Sequence, residues 1–164
     1  EQYLTPLTDF LSEIGKRAVL RNFPAHVEVR IAGNGAVAPI EVNPLRFGGW
    51  CSTPDLAWYA FGINIYEYLF RQIIPDWKTL LKGREGLVYS NIVLNNSTGI
   101  EGKQIQSFDY EKLLAGFEKP LELRKADFGK FPLFGFLFCE TRQQNMKELY
   151  DILHSDLSAY ITAK

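Results

Sequence analysis

The sequence predicts an α+β fold in which helices pack on an antiparallel sheet, and three patterns carry that prediction. Residues 26–43, HVEVRIAGNGAVAPIEVN, alternate apolar and polar side chains on either side of a turn-forming centre, as a half-exposed β-hairpin does. Just upstream, Leu7, Phe10, Leu11, Ile14 and Ala18 recur at helical spacing. From about Gly86 the texture changes to short β-rich runs followed by a C-terminal apolar stripe at helical period. The chain therefore divides into residues 1–83, led by the helix and hairpin, and residues 84–164, a small α+β appendage.

Thr5-Pro6 supplies a cap residue and a first-turn proline, so the first helix should open there and run to about Asn22. In the hairpin, Val27, Val29 and Ile31 alternate with His26, Glu28 and Arg30. Ile40 and Val42 alternate with Pro39, Glu41 and Asn43. A two-residue type I′ turn at Asn34-Gly35 would pair residues whose numbers sum to 69, which sets Glu28 opposite Glu41 and His26 opposite Asn43. The apolar faces of both arms then pack on the Leu7/Phe10/Leu11/Ile14 stripe.

Ser52-Thr53-Pro54-Asp55 combines a hydroxyl cap, a first-turn proline and an N-terminal acid, predicting a helix from about Pro54 to Arg71, in one piece or broken at Gly62. Pro75-Asp76-Trp77 starts a further helical turn that Lys82-Gly83 ends. Leu87–Leu94 reads as a strand, Asn95–Gly99 as a turn and Asp109–Phe117 as a short helix. Strands follow at Leu121–Lys125 and Leu133–Cys139. Met146, Leu149, Leu153, Leu157 and Ile161 mark a terminal helix over 143–161. The aromatic run Trp50, Trp58, Tyr59, Phe61, Tyr66, Tyr68 and Phe70 is read as core and interlobe packing.

With 46% hydrophobic and 23% charged residues the chain is globular, and its net charge of −1 gives no electrostatic footprint for nucleic acid or an anionic membrane. No nucleic-acid or membrane partner is expected. Cys51 and Cys139 lack the spacing of a zinc or redox motif and are read as buried, reduced thiols. No leader, lipidation motif or run of about 18 apolar residues is present, so the expected location is cytoplasmic.

Two glutamates facing each other across a strand pair repel, and a hard divalent cation with oxygen ligands offsets that repulsion, with Mg²⁺ first among them. The same pattern is also that of an ordinary hairpin with both glutamates in water and Arg30 neutralising one. The continuation distinguishes the two. Glu41-Val-Asn43-Pro44 runs into Leu45-Arg46-Phe47-Gly48-Gly49-Trp50, and this resembles the ATP-grasp superfamily. In that family an acidic residue on one strand and a Glu-x-Asn motif about a dozen residues later hold the magnesium ions that bridge the ATP phosphates. Glu28, Glu41 and Asn43 occupy those positions here.

The resemblance implies a C-terminal portion of an ATP-grasp fold using ATP and Mg²⁺ (or Mn²⁺). It also implies a ligase of the carboxylate–amine or carboxylate–thiol type that proceeds through an acyl-phosphate on a small carboxylate substrate. The ATP-binding lysines and adenine-contacting linker of such enzymes precede the helix at which this chain begins, and the first residue is Glu rather than Met. N-terminal ATP-grasp lobes are therefore expected in a larger parent protein, the isolated chain is expected to be inactive, and an oligomer is left open. Family members often carry an arginine two residues after the motif asparagine, where this chain has Leu45; Arg46 would serve with a one-residue shift.

Arg46 with the Gly48 and Gly49 amides suits a substrate carboxylate or acyl-phosphate, because a guanidinium fork matches planar oxyanions. A local turn whose arginine pairs with an acid is the plainer alternative. Arg30 shares the polar face with Glu28 and suits either a phosphate contact or a salt bridge. Ser52 and Thr53 could add anion donors, although capping alone accounts for them. His26 is read as having no metal role, because the hard-oxygen site already has its ligands. The rival reading of the whole chain is a non-catalytic binding or assembly module that keeps an ATP-grasp-like lobe.

Overall fold

The computed structural model describes residues 3–22, 24–49 and 52–164. Trp50 and Cys51, and with them the expectations of an aromatic core contact and a buried thiol there, lie outside the described residues. The chain forms two compact units, residues 1–55 with 63–75, and residues 56–62 with 76–164.

In the first unit α1 spans Leu4–Arg17, β1 Ala25–Ile31 and β2 Val37–Pro44. The helix opens with Tyr3 at the cap position and no side-chain cap bond, so Thr5 lies inside the first turn rather than capping it. It also stops five residues before the expected Asn22. Val19 adopts the left-handed conformation (φ 54°), and Leu20 and Val19 donate their N–H groups to the carbonyls of Gly15 (2.9 Å) and Lys16 (3.3 Å). That closes the helix as a Schellman motif with valine where glycine is usual.

The hairpin turn differs from the type I′ expectation. Ala32 N–H donates to Ala36 O and Gly35 N–H to Ala32 O, each at 2.9 Å, and in the loop only Gly35 has positive φ, at 83°. Type I′ needs positive φ at two residues, so this is a three-residue Gly33-Asn34-Gly35 loop ending in a left-handed glycine. Near the loop, residues pair one position out of the expected register, Ile31 with Val37 and Val29 with Pro39. A bulge at Ile40 absorbs the difference. Beyond it Glu28 pairs with Glu41, Val27 with Val42, and His26 with Asn43. The bulge also reverses the alternation of β2, so Pro39 lies on the face of Val29, and Ile40, expected in the apolar face, is 58% exposed.

α2 covers Thr53–Phe61 and α3 Ile65–Arg71, with the break at Gly62. Asn64 restarts the helix by accepting the N–H groups of Tyr66 (3.1 Å) and Glu67 (3.3 Å). In the first unit Phe47 meets Tyr66 edge to face at 5.0 Å. Phe70 is 82% exposed and Trp58 of α2 55%, so neither lies in a core of this chain.

The second unit holds α4 (Trp77–Leu81), β3 (Leu87–Asn95), β4 (Ile105–Phe108), α5 (Tyr110–Leu114), β5 (Pro120–Lys125), β6 (Leu133–Arg142), α6 (Lys147–Leu153) and β7 (Ile161–Ala163). β6 lies between β3 and β5 in an antiparallel sheet and carries Phe134, Leu137, Phe138 and Cys139, all fully buried. Burial of each large side chain contributes about 1.5–3 kcal/mol. Leu94, Ile105, Phe108, Leu113, Phe117 and Leu157 join Phe134, Leu137 and Cys139 in one buried cluster. Tyr59 of α2 packs on Phe138 at 5.1 Å.

The single terminal helix over 143–161 does not form. α6 ends at Leu153, Ser155 Oγ donates back to Ile152 O (2.9 Å), and Asp156 accepts Ser158 N–H (2.9 Å) to open a separate 3-10 turn. Short polar side chains bonding their own backbone interrupt the helix, and the chain then pairs as β7 with β4, a four-residue strand without a sequence signal. Leu153, expected in the apolar stripe, is 79% exposed. Among the described residues no helix is long and apolar enough to cross a membrane.

Candidate metal centre

The hairpin register brings Glu28 and Glu41 opposite each other, both exposed, with His26 and Asn43 as the next pair on the same face, both half-buried. Facing carboxylates destabilise a strand pair by some tenths of a kcal/mol up to about 1. Two nitrogen-bearing side chains stand nearby. Arg46 Nη2 lies 4.0 Å from Glu41 Oε1, and His26 Nε2 lies 3.7 Å from Glu28 Oε1. Arg30 lies on β1 opposite Ala38, exposed, and among the described residues forms no ion pair.

Arg46 reaches Glu41 because the preceding residue turns sharply. Leu45 has φ 62°, is 77% exposed and donates its N–H to Pro24 O at 2.8 Å. A left-handed leucine costs on the order of 1–2 kcal/mol, and the turn carries Leu45 outward and Arg46 back over the hairpin. The loop then closes on the start of α2. Ser52 N–H donates to Gly49 O (2.9 Å), Thr53 N–H to Gly48 O (3.3 Å), and the Ser52 hydroxyl also donates to Gly49 O. The two residues considered as anion donors thus spend these groups inside the loop, and Ser52 is 2% exposed.

Gly48 is buried, and a Cβ there would stand 2.6 Å from His26 Cδ2 and 2.9 Å from Nε2. The imidazole lies directly against the glycine backbone. The sequence reading set His26 opposite Asn43 and gave it no metal role, and its parity with Glu28 puts it on the same face. What it could not register is the pressure of the ring on Gly48, a contact across 22 residues of chain.

The donor set fits a hard cation. Two carboxylates and the Asn43 amide carry oxygen donors of the kind such a cation takes, and Asn43 Nδ2 is buried without a hydrogen-bond partner, so no protein bond fixes that amide. His26 Nδ1 is likewise buried without a partner. Such orphaned groups cost about 1–3 kcal/mol each. Among the described residues no three His, Cys, Asp or Glu side chains converge as a closed metal-holding group.

Residues 1–54 match the family described as the ATP-grasp domain. No curated protein and no solved structure matches the chain. The matched segment comprises α1, the hairpin, the Leu45–Gly49 loop and the start of α2. An ATP-grasp domain binds ATP and belongs mostly to ligases, which is the coarse function the match carries. The similarity to the ATP-grasp domain thus covers the helix, the hairpin and the loop of residues 1–54, about a third of the chain.

Proposed function

We propose that the chain supplies the metal-holding part of a cytoplasmic, Mg²⁺-dependent (or Mn²⁺-dependent) ligase that activates a small carboxylate with ATP and joins it to an amine or thiol. The observation that carries this reading is the pairing of Glu28 with Glu41 beside Asn43 on one hairpin face. These three residues would hold the cation, whose chemistry is to neutralise charge on the phosphoryl group during transfer.

In this reading the substrate carboxylate attacks the γ-phosphorus of ATP, giving an acyl-phosphate and ADP. The amine or thiol then attacks the acyl carbon and displaces inorganic phosphate. Arg46, beside Glu41, and the Gly48 and Gly49 backbone orient the carboxylate and then the acyl-phosphate. Arg30, on the same strand as Glu28 and without an ion pair among the described residues, would contact a phosphate. None of these residues forms a covalent bond to substrate. Residues 1–83 would form the C-terminal portion of the ATP-grasp domain, residues 84–164 an appended subdomain, and the lysine-bearing lobes would reside in the parent protein.

Glu41→Ala in a protein carrying the complete ATP-grasp domain should lower ATP-dependent ligation at least 100-fold while leaving the circular-dichroism spectrum unchanged; turnover within a few-fold of wild type would refute the assignment. The exposed Phe70 and Ile74, at 82% and 89%, favour a second reading, an assembly module without catalysis. That module would bind neither Mg²⁺ nor Mn²⁺.

A further inference from the structure

We infer that His26 is a positioning residue, a spacer that sets the Gly48-Gly49 loop against the Glu28/Asn43 ligand face and couples what binds at one to what binds at the other. The inference rests on the metal reading given above and adds a role to a residue that reading leaves idle.

His26 touches both sides. Across the strand it pairs with Asn43, and along the strand its Nε2 lies 3.7 Å from Glu28 Oε1. That separation is longer than a hydrogen bond, and a small movement of either side chain closes it. On its other side the ring meets Gly48 so closely that a methyl group there would lie within 2.6–3.2 Å of three ring atoms. The loop cannot retreat freely, because Gly48 O and Gly49 O are held by the N–H groups of Thr53 and Ser52 at the start of α2. The ring is thus confined between a braced loop and two ligand side chains. The buried Nδ1 of His26 and Nδ2 of Asn43 have no partner, so no hydrogen bond anchors either group in place. A cation that draws Glu28 and Asn43 inward would shift the ring, and the ring would shift the loop. By reciprocity, a ligand that orders the loop would raise affinity for the cation.

The test uses the 164-residue chain with Mg²⁺ and Mn²⁺ as probes, and four proteins: wild type, His26→Ala, Gly48→Ala and the double variant. Mg²⁺ should shift the Gly48 and Gly49 amide resonances of the wild type together with those of Glu28, Glu41 and Asn43. In His26→Ala the shifts at the ligand strands should persist and those at the loop vanish. Gly48→Ala, which drives the ring onto the ligands, should weaken Mg²⁺ binding about 10- to 100-fold, the usual effect of disturbing a group behind a metal ligand. In the double variant the space left by the ring should return affinity to that of His26→Ala alone. Thermal melts of all four confirm folding. Equal Mg²⁺ affinity in wild type and Gly48→Ala, or a double variant no better than Gly48→Ala, would overturn the spacer role and leave the metal site standing. A wild-type chain that binds neither ion would overturn the metal reading itself and the coupling with it.

Discussion

Glu41→Gln separates the metal reading from an ordinary exposed hairpin, because the two predict different responses to the same cation. Without metal the substitution removes the repulsion between facing carboxylates, a gain of about 0.2–1 kcal/mol. It also removes the Arg46 pair, whose atoms are 4.0 Å apart with side chains 37% and 50% exposed, and an exposed pair of that kind is worth about 0–1 kcal/mol. The terms nearly cancel, so the metal-free variant should match wild type within about 0.5 kcal/mol. With Mg²⁺ at about 100 times its dissociation constant, wild type gains about 2.7 kcal/mol, equivalent to roughly 100-fold slower exchange of protected amides. In the variant that gain should largely vanish. The assay is amide hydrogen exchange over residues 25–44 with and without MgCl₂, at constant ionic strength. Exchange reports this hairpin separately from the second unit, which a whole-chain melt would not. A Glu41→Gln protein that retains the Mg²⁺ protection would refute the assignment of Glu41 as a ligand.

Two predictions concern the second unit. Glu148 is 7% exposed and its carboxylate accepts the Thr141 hydroxyl, Glu118 N–H at 2.9 Å and Asn145 Nδ2 at 3.3 Å. Glu148→Ala strands a buried hydroxyl and a backbone donor and should cost about 3 kcal/mol in urea denaturation; a loss under about 1 kcal/mol would show that the network is replaced by water. Burial pushes the Cys139 thiol up to about 11, against a favourable Thr141 hydrogen bond and with a smaller contribution from the Glu148 charge. Because the folded value lies above the unfolded one, this contribution to stability is fully present below about pH 9 and is lost as pH rises toward 11, with a slope of up to about 1.4 kcal/mol per pH unit. Cys139→Ala should show a flatter stability curve over that range; an unchanged slope would refute the attribution.

Much of the second unit was legible from short runs. β3 and β6 fall where β-branched and aromatic residues cluster between turn signals, because those residues favour a pleated, buried surface, and β5 and α5 also form at their expected places. The terminal helix was misread because its apolar spacing is sound while Ser155 and Asp156 spend their side chains on the backbone, a competition that periodicity does not weigh. β4 was missed because four residues paired with a strand more than fifty positions away leave no local pattern. The same limit applies to α1, whose end is decided by the left-handed Val19, a residue type that carries no stop signal.

The candidate site divides along the same line. By itself the sequence determined that Glu28 opposes Glu41 and His26 opposes Asn43. With Val27 and Val42 on one face of a hairpin, a slip of one residue would turn every side chain of a strand to the wrong side, so the pattern pins the register. It determined this even though the turn is one residue longer than expected, because a bulge at Ile40 restores the register before the glutamates are reached. Only the tertiary structure decided that Arg46 swings back over Glu41 through a left-handed Leu45, and that the ring of His26 fills the place of a side chain at Gly48. Those contacts join residues distant along the chain and depend on shape and close packing, which alternation and charge do not encode.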